Sequence, residues 1–329
     1  MAEARPRVLS GIRPTGHLHV GHLVGALANW VAMQDRYECY FMIADWHALT
    51  THFEDTSRIR EFAQENTACL LAAGIDPARS VMFRQSDIVE HAELHLLLSM
   101  TVPVPWLERV PSYKEAKEQL KDRDLSSYGF LGYPVLQAAD ILAYKAVLVP
   151  VGEDQVAHLE ITREIVRRFN HFYGEVFPEP KPLLTPTPRL PGPDRRKMSK
   201  SYGNTIELGH DENQIRESIK RMFTDPVKIH LGDKGHPEDC VVFAFHSAFN
   251  QGCVAEADRT CRDGSRGCVD CKKSLVGPMW ERLKPVYEAR AKWLQDPGRI
   301  EEILVEGAKK AREVAGATLK ETRRAMKLA

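Results

Sequence analysis

The chain has 329 residues and balanced charge, 45 basic against 45 acidic side chains, which excludes a globally cationic nucleic-acid binder: any RNA must meet a local basic surface. The length is enough to bury one large or two moderate cores. No apolar run is long enough to cross a membrane, the opening MAEARPRVLS lacks the apolar centre of a signal peptide, and the seven cysteines fit thiols or metal ligands better than a disulfide framework, so a cytoplasmic protein is expected.

The first informative stretch is VLSGIRPTGHLHVGH, Val8 to His22. Val8 and Leu9 begin a buried strand, and Gly11, Pro14 and Gly16 punctuate a turn. A helix is expected from about His19 to Met33, with Val20, Leu23, Leu27 and Val31 on its packed face. Its start offers backbone N–H groups, the positive end of the dipole and the imidazoles of His19 and His22. That combination favours phosphate, and Gly21 has no side chain to keep a flat ring off the backbone.

Cys39 to Ala44 is a continuous apolar run, as in a parallel strand covered on both faces. It ends at Asp45, Trp46 and His47, polar or amphipathic residues where an open α/β sheet meets its ligand crevice. A helix from about Ser57 to Ala73, closed by Gly74 and Pro77, precedes a strand at Ser80 to Gln85. His91 to Met100 is helical, Pro103 and Pro105 break it, and Trp106 to Asp124 has the mixed charge of an amphipathic crossing helix pair.

The interior helix YPVLQAADILAYKA, Tyr133 to Ala146, places Tyr133, Gln137, Asp140 and Tyr144 on one face. Burying Asp140 in so apolar a helix is costly unless a donor meets it. An indole N–H is such a donor, and a neighbouring backbone group or Arg is another. Val147 to Val151 is the next strand, and Gly152, Glu153, Asp154 and Gln155 turn into a helix reaching Phe169. Seven prolines between Pro178 and Pro193 indicate an extended connection with no regular element. It leads to DRRKMSKS, where Lys197 and Lys200 lie on a loop flanked by Gly192 and Gly203.

Helical patterns dominate from Asp211: Glu212 to Phe223, Cys240 to Phe249, Lys273 to Trp293 and Ile300 to Met326. In the last, Ile300, Ile303, Leu304, Gly307, Ala311, Val314 and Ala315 form a core stripe. The expected division is an α/β, Rossmann-like domain over residues 1–205 and a helical domain over 206–329, with a metal or cluster loop at 240–271. Cys240, Cys261, Cys268 and Cys271 are spaced C-x20-C-x6-C-x2-C in a stretch with few apolar residues, which gains from a metal crosslink. Four thiolates suit zinc or an iron–sulfur cluster, and the single close pair leans away from zinc. Arg259, Arg262, Arg266, Lys272 and Lys273 surround them as a candidate surface for RNA phosphates. Cys39, Cys69 and Cys253 read as spare, with core use expected.

H-V-G-H followed in the same chain by K-M-S-K-S resembles class I aminoacyl-tRNA synthetases. GIRPTG, ADWHALT, YPVLQAADIL, VPVGEDQ, DRRKMSKS and AREVA narrow the likeness to bacterial tryptophanyl-tRNA synthetases along almost the whole chain, and the cysteines resemble their iron–sulfur branch. The resemblance implies that tryptophan is activated with Mg²⁺-bound ATP and transferred to tRNA(Trp) by a homodimer, the middle segment contributing to its interface. His19, His22, Lys197 and Lys200 would be catalytic. ATP would meet Gly11, Arg13, Pro14, Thr15, Gly21, His22, Gly152, Glu153, Asp154, Leu190, Lys197, Met198, Ser199, Lys200 and Ser201. Tryptophan would meet Asp140 at its indole N–H, Tyr133 and Gln155 at its ammonium group, with Gln137 and His47 completing the pocket; Gln137 departs from the Met common at that position. The four cysteines would hold a 4Fe-4S cluster, with structural zinc the alternative, in a domain that approaches the anticodon. A tyrosyl enzyme, another nucleotidyltransferase and a non-catalytic metal-bearing RNA-binding protein are the other readings.

Overall fold

The computed structural model describes residues 5–110, 126–152, 156–184, 190–199 and 202–329. Five strands form one parallel sheet: β1 (Arg7–Ile12), β2 (Glu38–Ile43), β3 (Ser80–Arg84), β4 (Leu148–Val151) and β5 (Lys181–Leu184), in the order β3-β2-β1-β4-β5. This is the α/β, Rossmann-like order, in which the strand sequence reverses direction between β1 and β4 and a crevice opens beyond their C-terminal ends.

Alternation along the strands divides the interior into two cores, one on each face. Val8, Cys39, Phe41, Ile43 and Met82 face one core, and Leu9, Tyr40, Met42 and Phe83 face the other. The first is covered by the helical run after β1 and by α4 (Ile59–Ala72). The second is covered by α5 (Val89–Ser99), α7 (Tyr128–Ala143) and α8 (Val156–Tyr173). The run after β1 is α1 (Val20–His22), a π-helical turn at Leu23–Leu27 and α2 (Ala28–Met33). The helix expected from His19 is therefore present, with a widened turn just after the histidines, where such turns recur at functional sites.

Strand β2 leads directly into α3 (Asp45–His52), and a short helix α6 (Val104–Glu108) contains Trp106. Most of the amphipathic stretch expected up to Asp124 lies outside the described residues. The proline-rich segment corrects the sequence reading. Lys181–Leu184 is a strand, with Pro182 opposite Val149 on the sheet's outer edge. An edge strand can accept a residue that donates no hydrogen bond, which a central strand cannot.

The remaining helices are α9 (Glu212–Lys220), α10 (Val241–Phe249), α11 (Val254–Arg262), α12 (Cys268–Leu294) and α13 (Pro297–Ala325). Helix α11 was not expected. The cysteine segment is thus helix-borne: Cys240 caps α10, Cys261 ends α11, and Cys268 and Cys271 open α12. The core stripe expected on α13 is buried, and it wraps the sheet. Ile300, Ile303 and Leu304 join the first core, whereas Ala308, Ala311, Ala315 and Leu319 join the second. Gly307 marks the crossing, where a Cβ would overlap the backbone of Met82 in edge strand β3. The helix shields that edge from pairing with another chain. Both cores accordingly contain residues from either side of position 205.

Candidate active site

The turn after β1 and the start of the loop after β4 flank the strand reversal. Gly11 packs against Met42, where a Cβ would stand 3.1 Å from the carbonyl oxygen. Thr15 N–H bonds the Arg13 carbonyl at 2.9 Å, and Pro14 is buried behind them. Arg13 is exposed by surface area, yet its guanidinium is surrounded by protein and faces Tyr133, as befits a side chain in a cleft.

His19 and His22 lie together, their ring centroids 3.8 Å apart, and His22 Nδ1 accepts the His19 backbone N–H at 3.1 Å. The Val20 N–H is bonded to the Ile206 carbonyl at 2.9 Å, so the free row of backbone donors expected at this helix start is partly consumed. A Cβ at Gly21 would stand 3.0 Å from the His19 ring and 3.8 Å from Met198 Sδ. The two motifs therefore meet over one glycine, Gly21 and Met198 lying 177 positions apart in the chain (198 minus 21). Residues 206–208 hold them together, with Glu207 bridged to His19 and Leu208 N–H on the Leu18 carbonyl at 2.9 Å.

No motif or periodicity singles out Asn204. Its buried amide accepts Ser199 N–H at 2.9 Å and donates to Asp194 at 2.7 Å and to the Lys197 carbonyl at 3.2 Å. It fixes the lysine loop from inside, against Gly192, where a Cβ would fall 2.7 Å from the Asn204 Cγ. Lys197 is exposed, while Leu190 and Met198 are buried in the first core. Lys200 and Ser201 lie outside the described residues, as do Glu153, Asp154 and Gln155; Gly152 is exposed at the end of β4.

Deeper in the crevice, Asp140 is 1% exposed and its carboxylate is fully engaged. Gln85 Nε2 donates to both oxygens, at 2.8 and 3.0 Å, while His47 Nε2 lies 2.8 Å from Oδ2 and His91 Nδ1 2.8 Å from Oδ1. Burial alone would raise its pKa, but the hydrogen bonds and charge from His47 and His91 outweigh that and hold it at about 2. His91 Nε2 is 2.7 Å from the Tyr144 hydroxyl. Burial, then the Asp140 charge, push Tyr144 well above its ordinary range.

Tyr133 points elsewhere, with its hydroxyl 3.1 Å from His158 Nε2, and Gln137 is half-buried three residues before Asp140. Gln85 and His91 escaped the sequence reading. Gln85 immediately follows β3, so the strand-end rule applied to Asp45 and His47 would have found it. Asp45 itself serves the scaffold, accepting the Ser86 and Trp46 N–H groups, each at 3.0 Å.

Around the cysteines, burial raises the Cys240, Cys261 and Cys271 thiols, Cys271 to about 12, and neighbouring thiols push the same way. The four sulfurs thus share one neighbourhood, yet among the described residues no three His, Cys, Asp or Glu side chains gather tightly enough for a single metal ion. Cys39 and Cys69 are core residues, while half-buried Cys253 accepts a bond from Arg266 at 3.5 Å. The surrounding cations are largely committed. Arg259 pairs with Asp263, Arg262 with Asp258 and Glu238, and Lys273 with Asp270, while Lys272 donates to the Lys220 carbonyl. The free basic surface expected there is mostly neutralised by local acids.

A parallel sheet in this order, with paired histidines beyond β1 and a lysine loop folded onto them, defines a class I nucleotide-binding catalytic fold. The chain belongs to the tRNA synthetases class I (W and Y), the family matched by residues 1–283. A tryptophan–tRNA ligase of Thermotoga maritima is 54% identical, over 98% of this chain and 99% of that one. The crystal structure of Campylobacter jejuni tryptophanyl-tRNA synthetase complexed with ADP and tryptophan is similar at a TM-score of 0.87 and 34% identity, covering 98% of this chain and 100% of that one. A tyrosyl-tRNA synthetase of Archaeoglobus fulgidus, complexed with L-tyrosine, shares the fold at a TM-score of 0.67 and 19% identity, covering 88% of this chain and 91% of that one.

Proposed function

We propose that this chain is a tryptophan–tRNA ligase, which forms tryptophanyl-adenylate from L-tryptophan and ATP and passes the acyl group to tRNA(Trp). The observation that carries the reading is the 54% identity to a tryptophan–tRNA ligase over nearly the whole of both chains. The buried Asp140 carboxylate is its counterpart in the geometry.

In the first step the tryptophan carboxylate attacks the α-phosphorus and pyrophosphate leaves. In the second, a ribose hydroxyl of the tRNA 3′ adenosine attacks the acyl carbon and AMP leaves. The protein contributes alignment and stabilisation of charge on phosphate oxygens. His19, His22, Lys197 and Lys200 supply that charge stabilisation, and Mg²⁺ arrives with ATP. Gly11, Arg13, Pro14, Thr15, Gly21, Gly152, Glu153, Asp154, Leu190, Met198, Ser199 and Ser201 shape the nucleotide site. Asp140 accepts the indole N–H, Tyr133 and Gln155 take the ammonium group, and Gln137 lines the pocket.

Gln85 and His47 hydrogen-bond the Asp140 carboxylate, and His91 Nδ1 lies 2.8 Å from it. In this reading the indole N–H takes the place of one of these neighbours. His47 is the candidate, because its side chain is 11% exposed against 0% for His91 and it sits in the first turn of α3. A site that demands an N–H rejects smaller side chains by leaving Asp140 short of a partner, so no editing domain is needed.

Cys240, Cys261, Cys268 and Cys271 hold a 4Fe-4S cluster in this reading, with zinc the alternative. Their chemistry fits either group: four soft thiols are carried by three helices in one neighbourhood. It would supply a crosslink between α10, α11 and α12. Iron and sulfide content of anaerobically purified protein checks this, zinc in their place deciding for the alternative. The helical segment 206–329 approaches the anticodon, and the protein works in the cytoplasm; among the described residues no helix is long and apolar enough to cross a membrane. A homodimer is supported by exposed apolar residues on and beside the helices that cover the second core, Val89, Leu96, Met100, Val104, Tyr128 and Phe172. Charging of a tRNA(Trp) transcript with labelled tryptophan tests the whole reading: acid-precipitable label supports it, and its absence with active ATP and folded protein contradicts it.

A further inference from the structure

His17, two residues before His19, lies at a junction of four segments. Its Nδ1 is 3.6 Å from Glu65 Oε1 on α4, and its ring meets Phe62 edge-on at 5.2 Å. Glu65 is in turn bonded at 2.6 Å by Arg290 Nε, from near the end of α12. The Arg290 guanidinium passes over Gly209, where a Cβ would be 3.0 Å from Cζ. The side chains of Glu65 and Arg290 are 7% and 17% exposed, and that of His17 is 32%. A carboxylate so buried is costly unless its partners are well placed, and both partners here come from elsewhere in the chain. Neither is needed by α4 itself.

Both partners touch the paired segments that carry the nucleotide motifs. His17 belongs to the strand-like stretch whose Leu18 and Val20 bond residues 208 and 206, and Gly209 immediately follows that pairing. The groups facing His17 are Glu61 and Glu65 from α4, Glu207 and His210 from the segment after the lysine loop, and Arg290 from α12. The Glu65 carboxylate, accepting from the His17 ring, leads in raising the pKa of His17, against a smaller opposing effect of burial. The other end of α12, 27 residues long and hence about 40 Å, carries Cys268 and Cys271.

We propose that His17, Glu65 and Arg290 form a positioning cluster that holds the histidine turn and the segment following the lysine loop in register for adenylate formation, anchoring both to the long helix α12. None of the three touches the reacting atoms. The inference rests on the reading that the His19–His22 turn meets ATP, so the test includes a variant of that turn.

The experiment measures ATP–pyrophosphate exchange and tryptophan Kd by equilibrium dialysis for His17→Gln, Arg290→Met, Arg290→Lys and His22→Asn, with melting curves for each. Misregister at the phosphate end lowers kcat by about tenfold or more in His17→Gln and Arg290→Met, leaves tryptophan Kd within about twofold, and is largely rescued in Arg290→Lys. Half-exposed His17 keeps the test open if Arg290→Met does not fold. Exchange within about twofold of the parent per folded molecule in His17→Gln, or a loss confined to tryptophan Kd, overturns the proposal. Loss in His22→Asn alone overturns the cluster while sparing the ATP reading; full exchange in both His22→Asn and His17→Gln overturns both.

Discussion

Met198 lies over Gly21: a Cβ on the glycine would stand 3.8 Å from the methionine sulfur and 3.0 Å from the His19 ring beneath it. This packing brings the histidine turn and the lysine loop into one site. Gly21→Ala should leave the fold intact, because a ring at the end of a side chain can move a few tenths of an ångström. It should nevertheless lower kcat for ATP–pyrophosphate exchange by about tenfold, since small misplacements at aligned groups are expensive in rate. Unchanged kcat would detach Met198 and His19 from the chemistry.

Asp140 makes a pH prediction. Its folded pKa of about 2 lies below the 3.8 of the free side chain, so its ionised form stabilises the fold above pH 4 and that stabilisation is lost as pH falls from about 4 towards 2. The amount is on the order of 2 kcal/mol. Asp140→Asn should therefore differ from the parent in urea midpoint at pH 6, and the gap should narrow at pH 3. The same variant should lose tryptophan binding, which equilibrium dialysis measures.

Asn204 makes three hydrogen bonds within the lysine loop from a buried position. Asn204→Ala should raise the KM for ATP and lower kcat about tenfold, with tryptophan Kd little altered, because the loop loses its internal brace. A melting temperature that falls with kinetics unchanged would make Asn204 a stability residue only.

Gly307 sets helix propensity against packing. Alanine should stabilise an isolated helix by about 1 kcal/mol. At the crossing over β3 its methyl would instead strike the Met82 backbone, which cannot swing aside as a side chain can. Packing wins, and Gly307→Ala should destabilise by about 3 kcal/mol or more in urea titration, beyond ordinary overpacking.

Much of this was legible where chemistry and periodicity coincide. The β1 turn, the buried run of β2 and the Asp140 helix could be read from apolar spacing broken by polar residues. Strand β5 was not, because prolines signal an irregular segment unless the strand is known to be an edge, and sequence order does not reveal which strand that is. The wrapping of α13 was likewise hidden: its stripe announces burial but not two different cores. Gln85, His91 and Asn204 were missed because their partners lie 55, 49 and 5–10 positions away, and a lone amide or imidazole beside an apolar run has no period to mark it.

Activation of tryptophan in the crevice is the step on which the other roles depend. ATP–pyrophosphate exchange with purified protein, run in parallel with tryptophan, tyrosine and phenylalanine, tests it most directly. Exchange is expected with tryptophan, and none above background with the other two. Exchange driven by tyrosine would contradict the role given to Asp140, and no exchange with any of the three, with or without tRNA, would contradict the enzyme itself.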